Sequence, residues 1–330
     1  MNTIRFWLRN ARPISLPQSI IPAVTALCLS FGEQHFSWIA AFASLFGVVF
    51  LHLSLNLLDD WFDHRLGSAQ ARQMVANEGF RGRMVKYPYL TSGQATPTQL
   101  LRVVLVLLGM AAAMGMIVFL VRGIAVFGWI LTALVIGVSY SGGPLKLGFR
   151  GLGELVIFLM FVPLLMTGVY FAVTGSVSSK ILWLSSAVGL LVTNIVYSHS
   201  VLDAIPDQKM GKKTMAHLMG GPKGQIALSA FINAVPYLLV LAAVLLGQLH
   251  WAYLLVLLVF PVSMWLVGSL YHFVNHQEVP IVIRPWMGPM GDFESYRKAG
   301  IDWFLLRWLV ARNIVMMYCI ILIVVNFIVG

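Results

Sequence analysis

Nine long apolar segments divide the chain, and each has a length suited to crossing a lipid bilayer. The apolar core of a bilayer takes about 20 helical residues. Windows of that length predict membrane-spanning helices over residues 16–33, 37–58, 98–121, 123–140, 152–174, 180–202, 225–247, 250–272 and 303–329. The hydrophobic pattern therefore predicts an all-α polytopic membrane protein with about nine transmembrane helices.

The polar residues between these segments fall mostly on one side of the predicted membrane. Of the 22 Lys and Arg residues, only Arg122 and Lys180 lie at predicted outside turns, and Arg312 lies within the last span. The positive-inside rule therefore places the N-terminus and four long connections in the cytoplasm. These connections cover residues 59–97, 141–151, 203–224 and 273–302.

The acidic residues follow the same side, which the positive-inside rule does not require. Glu33 is the only one of the 12 Asp and Glu residues on the opposite side. The long connections also contain Gly, Pro and aromatic residues, so we expect ordered caps rather than disordered tails. We therefore expect a single integral-membrane domain over residues 1–330, arranged around a central cavity that opens to the cytoplasmic side.

Composition supports the membrane assignment and removes other classes. Hydrophobic residues make up 59% of the 330 residues and charged residues only 10%, a balance that excludes an ordinary soluble domain. The net charge of +10 follows the membrane topology, so it does not indicate a nucleic-acid partner. The apolar run after the basic N-terminus lacks an A-x-A cleavage site, and we expect it to be retained. Cys28 and Cys319 lie in apolar stretches, where we interpret them as small core residues.

Two clusters of aspartates carry the candidate chemistry. The segment NLLDDWFD, at the end of the second predicted span, contains Asn56, Asp59, Asp60 and Asp63. Helical spacing puts Asp59 and Asp63 on one face with Asn56. The sixth span leads in the same way into Asp203 and Asp207, within SVLDAIPDQKMGKKT. A helix that simply reaches water explains one such acid, but it does not explain two clusters on one face of the membrane.

Basic residues close to both clusters suggest an anionic ligand. Carboxylate oxygens hold Mg²⁺, which bridges to phosphate oxygens, while Lys and Arg neutralise the remaining phosphate charge. The apolar part of such a ligand can run down between the helices into the lipid. The pattern therefore favours an amphiphilic phosphate compound bound through Mg²⁺.

Four sequence segments resemble a known family. ARPISLPQSIIP from residue 11, NLLDDWFDHRLGS from 56, YSGGPLKLGFRGLGEL from 140 and DAIPDQKMGKKT from 203 are similar to motifs of the UbiA superfamily of intramembrane prenyltransferases. The match is closest to the 1,4-dihydroxy-2-naphthoate prenyltransferases of menaquinone biosynthesis. With nine predicted spans, the resemblance covers nearly the whole chain. It implies transfer of a prenyl group from a prenyl diphosphate to a small aromatic acceptor, in a bacterial inner membrane.

The chain departs from the family motifs at several positions. Asp59 stands where the family usually has Asn, and Gly67 where many members have a further Asp. Leu202 replaces an Arg that is typical of the menaquinone branch. Pro206 lies inside the second motif and biases Ile205 away from helical geometry, so we expect a broken turn to present Asp203 and its neighbours.

The resemblance implies a role for each candidate side chain. Metal binding falls to five aspartates: Asp59, Asp60, Asp63, Asp203 and Asp207. The residues that would bind the diphosphate are Asn56, Arg12, Arg72, Arg81, Ser141, Lys146 and Lys212. The resemblance also implies catalytic roles for Tyr140, Asp60, Asp63, Asp203 and Asp207. A tyrosine of the interfacial aromatic belt explains the position of Tyr140 equally well.

Other polar residues receive no catalytic role at this stage. Glu154 begins the fifth span, where we expect it to hydrogen-bond the cap. His52, His64, His199 and His217 show no spacing typical of ligands, and we interpret them as packed histidines.

Alternative functions stay open from the sequence. Within the same superfamily, the acceptor could be 4-hydroxybenzoate, a tetrapyrrole or a lipid alcohol. A membrane transporter also combines intramembrane acids with basic rims, but its acids are expected near the middle of spans. A membrane scaffold would not need two acid clusters.

Overall fold

The computed structural model describes residues 3–65, 67, 87–141, 144–209, 211–277 and 280–329. The α-helices within these ranges are α1 (Thr3–Asn10), α2 (Pro17–Leu29), α3 (Trp38–Arg65), α4 (Pro88–Thr91), α5 (Pro97–Arg122), α6 (Ala125–Ser141), α7 (Gly153–Leu159), α8 (Thr167–Thr174), α9 (Ser179–Leu202), α10 (Ala204–Lys209), α11 (Met215–Leu218), α12 (Pro222–Leu245), α13 (Phe260–Val274), α14 (Phe293–Lys298) and α15 (Asp302–Val329). The described residues form no strand, and one isolated bridge joins Arg150 to Lys213.

Apolar helices occupy all nine of the predicted spans. Seven are long and apolar enough to cross a membrane: Trp38–Arg65, Pro97–Arg122, Gly153–Thr174, Ser179–Leu202, Pro222–Leu245, Trp251–Val274 and Asp302–Val329. Two shorter apolar helices, Pro13–Leu29 and Ala125–Tyr140, lie at the first and fourth predicted positions. The all-α membrane architecture is therefore confirmed, while the count of nine crossings stays a prediction.

Two of the spans are not uniform α-helices. A π-helical segment, Met160–Met166, separates α7 from α8 within the fifth span. The eighth span begins as a 3₁₀ segment, Trp251–Val259, before α13. Since a π-helix widens the backbone and occurs often at functional sites, the fifth span is a place to look for a ligand cavity.

The buried side chains form two main cores. The larger core joins α2, the fifth span, α9, α12, α13 and α15, and it includes Leu202 directly before the second aspartate motif. The smaller core joins α3, α4 and α5, and it includes Leu57 within the first motif. Each motif is therefore attached to its own core, and the candidate site involves both.

A reciprocal amide pair joins two helices of the larger core. Asn194 on α9 donates from Nδ2 to Oδ1 of Asn233 on α12 at 3.0 Å, and Asn233 donates back to Oδ1 of Asn194 at 2.9 Å. Both side chains are fully buried. Within their own helices, Ser198 donates to Oδ1 of Asn194 at 3.5 Å and Asn233 donates to the carbonyl of Ser229 at 2.9 Å. The reciprocal bonds between the two amides join one helix to the other, so the pair fixes the register of the two helices.

We predict that Asn233→Ala lowers the stability of the bundle. The change leaves the Asn194 amide buried without its partner, which typically costs about 1–3 kcal/mol. The thermal unfolding midpoint of the purified protein in detergent measures the loss. The double variant Asn194→Ala/Asn233→Ala should be scarcely less stable than the single one, because both ends of the pair are then removed. Strictly additive losses would contradict the interpretation.

Candidate active site

The first aspartate motif lies on the last turns of α3. The sequence predicted that this span ends at residue 58, but the helix continues to Arg65. Asp60 and Asp63 are buried, whereas Asp59 keeps about a fifth of its side chain exposed. Buried carboxylates need cations or hydrogen-bond donors close to them, and other elements of the chain supply both.

Arg12 is the main partner of the first motif. Its Nη2 lies 3.5 Å from Oδ2 of Asp59 and 3.2 Å from Oδ1 of Asp60, and it donates to the main-chain oxygen of Asn56 at 2.6 Å. Burial lowers the pKa of Arg12, but the nearby aspartates raise it by more, so the net pKa lies above its ordinary value. The guanidinium therefore stays charged and offsets the negative charge of the motif.

A polar network fixes the loop that carries Arg12. Arg12 itself adopts a left-handed conformation (φ 56°) between α1 and α2. Asn56 donates from Nδ2 to the carbonyl of Ala11 at 3.0 Å and to Oγ of Ser15 at 2.9 Å. Ser15 also contacts Nε2 of His52 at 3.0 Å, and Ser19 contacts Nδ1 of the same ring. This network pins the loop to α3 and sets the position of the guanidinium.

Two tyrosines also contact the first motif: Tyr89 within α4, and Tyr87 at the N-cap of that helix. Tyr89 donates its hydroxyl to Oδ2 of Asp60 at 3.0 Å, and Tyr87 donates to the main-chain oxygen of Asp63 at 3.1 Å. Both tyrosines are almost fully buried. Sequence reasoning missed them because neither lies in a recognisable motif, although the aromatic pair in YPY marks an ordered cap.

The second motif bends less than its proline suggested. Asp203 caps the end of α9, and α10 starts one residue later and includes Pro206. A proline is tolerated in the first turn of a helix, where its missing N–H has no partner to lose. The amide of Asp207 donates to the carbonyl of Asp203 at 2.9 Å, so the two residues keep a helical spacing. The expected broken turn is therefore only a short interruption before Ala204.

Basic side chains also meet both aspartates of the second motif. Nε2 of His199 lies 3.0 Å from Oδ2 of Asp203, and Nζ of Lys212 lies 3.2 Å from Oδ2 of Asp207. The ammonium group of Lys212 also lies 5.9 Å from the ring centroid of Phe149. The interpretation of His199 as a simply packed histidine was incomplete, because one helical turn separates it from Asp203 and lets the ring reach the carboxylate.

Glu154 lies beside the second motif and closes the cap as expected. The main-chain N–H of Met215 donates to Oε2 of the buried Glu154 at 3.4 Å. Main-chain hydrogen bonds also join the loop of Phe149 and Gly151 to Lys213, at 3.1 and 2.9 Å. These contacts hold the segment after α6 against the segment after the second motif.

Tyr140 lies near the end of α6. Its hydroxyl is within electrostatic range of Asp59 and Asp63 from the first motif and of Asp207 from the second. Its ring packs against Gly148 and Gly153, where an added Cβ would lie only 3.3 Å from ring atoms. This packing fixes the ring against the loop after α6, while a catalytic role for Tyr140 stays a prediction.

A pocket with one polar side and mainly apolar walls opens beside Tyr140. This head pocket has a volume of about 220 Å³ and is lined on its polar side by Ser15, Gln18, Ser19, His52, Asn56, Asp59 and Tyr140. Apolar side chains of α3, α6 and the fifth span form its other walls. Because Asp59 lines the pocket, a bound ligand can reach the edge of the first motif.

An apolar chamber continues from the head pocket. The chamber has a volume of about 450 Å³ and lies among α3, α5, α6 and the fifth span. Four residues line both cavities and form what we call the junction: Val48, Leu51, Met160 and Leu165. Small residues such as Gly47, Ala112 and Ala133 leave the space that larger side chains would fill. The two cavities together suit a molecule with a polar head and an apolar tail.

The remaining predicted site residues are placed as follows. Lys146 lies in the loop after α6, in a left-handed conformation (φ 44°), half-buried and near the packing contacts of Tyr140. Arg72 and Arg81 lie outside the described residues, as does the side chain of Ser141.

The donor atoms of the two motifs are the kind that Mg²⁺ prefers, since every candidate ligand is a carboxylate oxygen. Within the described ranges, however, no three acidic, histidine or cysteine side chains converge on one point. Arg12, His199 and Lys212 contact the aspartates instead. The chemistry of the residues therefore fits a divalent ion, while the ligand set stays a prediction.

Comparison with known proteins identifies the family. The sequence profile described as the UbiA prenyltransferase family matches residues 19–287, which is most of the chain. The chain belongs to the UbiA prenyltransferase family. It is therefore a prenyltransferase of the membrane, as the four sequence segments suggested.

Relatives within the UbiA family include named enzymes. A 1,4-dihydroxy-2-naphthoate octaprenyltransferase of Bacillus subtilis is 26% identical over 238 residues, which is 72% of each chain. A protein of the same description from Haemophilus influenzae is 24% identical over 290 residues, covering 87% of this chain and 91% of the relative.

A solved structure supports the UbiA fold. The structure of a UbiA homolog from Archaeoglobus fulgidus bound to DMAPP and Mg²⁺ aligns with a TM-score of 0.58 and 16% identity. The alignment covers 97% of this chain and 99% of the other. At this identity the likeness establishes the fold alone, and it does so over nearly the whole chain.

We predict that Gly153→Ala lowers prenyl transfer by displacing Tyr140. The new Cβ would lie 3.3 Å from Cε2 and 3.6 Å from the hydroxyl of Tyr140, so the ring must shift by a few tenths of an ångström. Since a 1 Å misplacement in an active site can cost about 100-fold, we expect a loss of about tenfold. Initial rates with a prenyl diphosphate and an aromatic acceptor in membranes measure it.

Gly268→Ala is the matched control for this change. Gly268 is also helical, and an added Cβ would meet no atom within 4 Å. Its activity should stay at the wild-type level. Equal losses in the two variants would indicate a general effect of replacing glycine rather than displacement of Tyr140.

Proposed function

We propose that this protein transfers a prenyl group from a prenyl diphosphate to a ring carbon of 1,4-dihydroxy-2-naphthoate, in menaquinone biosynthesis. The observation that carries the proposal is the position of Tyr140, in electrostatic range of both aspartate motifs and at the wall of the head pocket. Relatives that carry the name 1,4-dihydroxy-2-naphthoate octaprenyltransferase support this acceptor over the other aromatic and lipid acceptors.

The diphosphate is proposed to bind between the two motifs. Asp59, Asp60, Asp63, Asp203 and Asp207 would hold one or two Mg²⁺ ions. When bound, Mg²⁺ neutralises charge on the diphosphate and makes it a better leaving group. A relative solved with DMAPP and Mg²⁺ supports the choice of metal and the class of substrate.

The chain's own cations would share the charge of the leaving group. Arg12 and Lys212 already lie within 4 Å of aspartates at the site and carry donors that suit phosphate oxygens. Lys146, in the loop packed near Tyr140, would add a third cation. Asn56 would keep the Arg12 loop in place through its contacts with Ala11 and Ser15. Arg72, Arg81 and Ser141 are proposed to join these groups on the strength of the family motifs.

Transfer then needs a dry pocket for the carbon fragment. The bond between the allylic carbon and the diphosphate oxygen breaks, and the oxygen keeps the electron pair. A ring carbon of the acceptor attacks the allylic carbon. The attacked carbon then loses H⁺, or CO₂ if it is the carbon that bears the carboxylate, and the bonding electron pair stays in the ring and restores aromaticity. The face of the Tyr140 ring and the apolar walls of the head pocket would stabilise the cationic carbon and exclude water.

The polar side of the head pocket would receive the acceptor. Ser15 donates its own proton to the carbonyl of Arg12 at 2.8 Å, so its oxygen accepts from Nε2–H of His52. Ser19 then donates to Nδ1, which leaves His52 neutral with a defined tautomer. Neutral donors and acceptors of this kind, together with Gln18, suit the hydroxyl groups of a dihydroxy aromatic ring.

The apolar chamber would hold the prenyl tail. Its walls are almost entirely hydrophobic, and it meets the head pocket at the junction. A prenyl chain that leaves the allylic carbon in the head pocket can therefore extend past Met160 into the chamber. We further propose that the aspartate end of the bundle faces the cytoplasm of a bacterial inner membrane, as the positive-inside rule indicates, and that residues 1–330 form a single domain.

We predict that Asp60→Asn and Asp203→Asn each lower turnover by about 100- to 1,000-fold, the typical cost of one lost contact to transition-state charge. The double variant should be scarcely worse than the weaker single one, because groups that act as a unit are strongly non-additive. Excess EDTA should stop the wild-type reaction and Mg²⁺ should restore it. Mass spectrometry of the prenylated product, with a prenyl diphosphate in membranes, measures each rate.

Controls separate this mechanism from other effects. Glu294→Gln removes an exposed acid of α14, far along the chain from either motif, and should leave turnover unchanged. A panel of acceptors should show 1,4-dihydroxy-2-naphthoate ahead of 4-hydroxybenzoate. Normal rates in both aspartate variants, or full activity in EDTA, would contradict the proposal.

We predict that Ala133→Phe shortens the prenyl chain that the protein accepts. The added ring projects into the apolar chamber that Ala133 lines, so long chains should lose turnover by more than about tenfold while a short chain is little affected. Thr132→Phe is the control, because Thr132 is exposed and does not line the chamber. Rates with dimethylallyl and longer prenyl diphosphates measure the effect. An equal loss for all chain lengths would argue against a tail in the chamber.

A further inference from the structure

A tyrosine outside every sequence motif holds one aspartate of the first motif. Tyr89 lies in the four-residue helix α4, between the first motif and α5, and it is only 2% exposed. Its hydroxyl donates to Oδ2 of Asp60 at 3.0 Å. A carboxylate oxygen only accepts, so the phenol is the donor in this bond.

The other oxygen of the same carboxylate contacts a different element. Nη2 of Arg12 lies 3.2 Å from Oδ1 of Asp60, and the Asp60 side chain is fully buried. Tyr89 and Arg12 therefore hold the carboxylate from two sides, one from the cap and one from the N-terminal arm. Two such anchors fix the plane of the carboxylate about its last torsion, which is otherwise broad.

Packing fixes the position of the tyrosine ring itself. Phe6 and Trp7 of α1 contact the Tyr89 ring edge-on, with centroid distances of 6.1 and 6.0 Å and interplanar angles of 88° and 83°. The ring cannot turn its hydroxyl away without losing these contacts. The position of the hydroxyl is therefore set by packing of the ring and does not depend on its bond to the carboxylate.

We infer that Tyr89 is a positioning residue for metal binding by Asp60. Each carboxylate oxygen has two acceptor sites, so the bond from Tyr89 leaves Asp60 able to bind an ion. The hydroxyl sets the direction in which the remaining acceptor sites point. Groups that orient a metal ligand in this way are typically worth 10- to 100-fold in metal affinity or activity. The inference rests on the proposed function, because it takes Asp60 as a metal ligand.

The neighbouring tyrosine supplies a matched comparison. Tyr87 is equally buried, lies two residues away and donates its hydroxyl at 3.1 Å, but its acceptor is the main-chain oxygen of Asp63. Tyr87→Phe and Tyr89→Phe therefore remove the same atom from the same cap. Within the described part of the chain, the hydrogen bond to a carboxylate is the one that Tyr89→Phe removes. Both keep the aromatic ring, so the contacts of Tyr89 with Phe6 and Trp7 survive.

The experiment measures binding of Mn²⁺ to the purified full-length protein in detergent, by electron paramagnetic resonance, for wild type and both variants. We expect Tyr89→Phe to weaken Mn²⁺ binding by about 10- to 100-fold and Tyr87→Phe to change it by less than twofold. The Mg²⁺ concentration for half-maximal prenyl transfer should shift in parallel. Thermal unfolding midpoints of both variants record any general loss of stability.

The outcomes separate this inference from the proposed function. If wild type binds Mn²⁺ and Tyr89→Phe binds it within twofold of wild type, the inference fails and the proposed function stands. If Tyr87→Phe weakens binding as much as Tyr89→Phe, loosening of the cap is the cause, and the inference also fails. If wild type neither binds Mn²⁺ nor transfers a prenyl group, the proposed function fails. The inference about Tyr89 then fails as well, because it rests on that function.

Discussion

A carboxylate buried at the end of an apolar helix is stable only if a cation or a strong donor meets it. The arrangement of this molecule around its aspartates follows from that constraint. The partners come from separate parts of the chain: Arg12 from the N-terminal arm, Tyr89 from the cap before α5, and Lys212 from the loop after α10. Each contact attaches its own segment of the chain to the aspartates, so the same contacts that offset the charge also hold the caps in place.

Local properties of the sequence were sufficient to predict the helices. The sixth span was predicted over 180–202 and observed at Ser179–Leu202, because apolar length is read directly from consecutive residues. The predicted span ended at residue 58, where hydropathy falls, but the helical spacing of Asn56, Asp59 and Asp63 already indicated that the helix continues, and it does so to Arg65. The contact between Asp59 and Arg12 could not be predicted in this way, because Arg12 lies 47 residues earlier in the chain and no local window contains both.

The difference between local patterns and contacts over long sequence distances also decides which candidate site residues could be predicted from the sequence. The aspartates and Tyr140 stand in recognisable segments, and the sequence predicted them. Tyr89 reaches its acceptor across 29 residues, and nothing in its neighbourhood in the chain marks that contact. His199 lies one turn from Asp203, so spacing alone could have found it. The expected break at Pro206 was too large because the new helix starts just before it, where a proline costs little.

The junction has a consequence for how such a protein can change over evolutionary time. Among the described residues, Val48, Leu51, Met160 and Leu165 line both cavities, and the other residues that line the apolar chamber do not line the head pocket. Substitutions among the small residues of α5 and α6 can therefore accumulate without disturbing bond breaking at the other end. Selection for a different prenyl tail and selection for the reaction then act on separate sets of residues. Under the proposed function, a lineage can thus change the prenyl tail that it accepts while the chemistry stays unchanged.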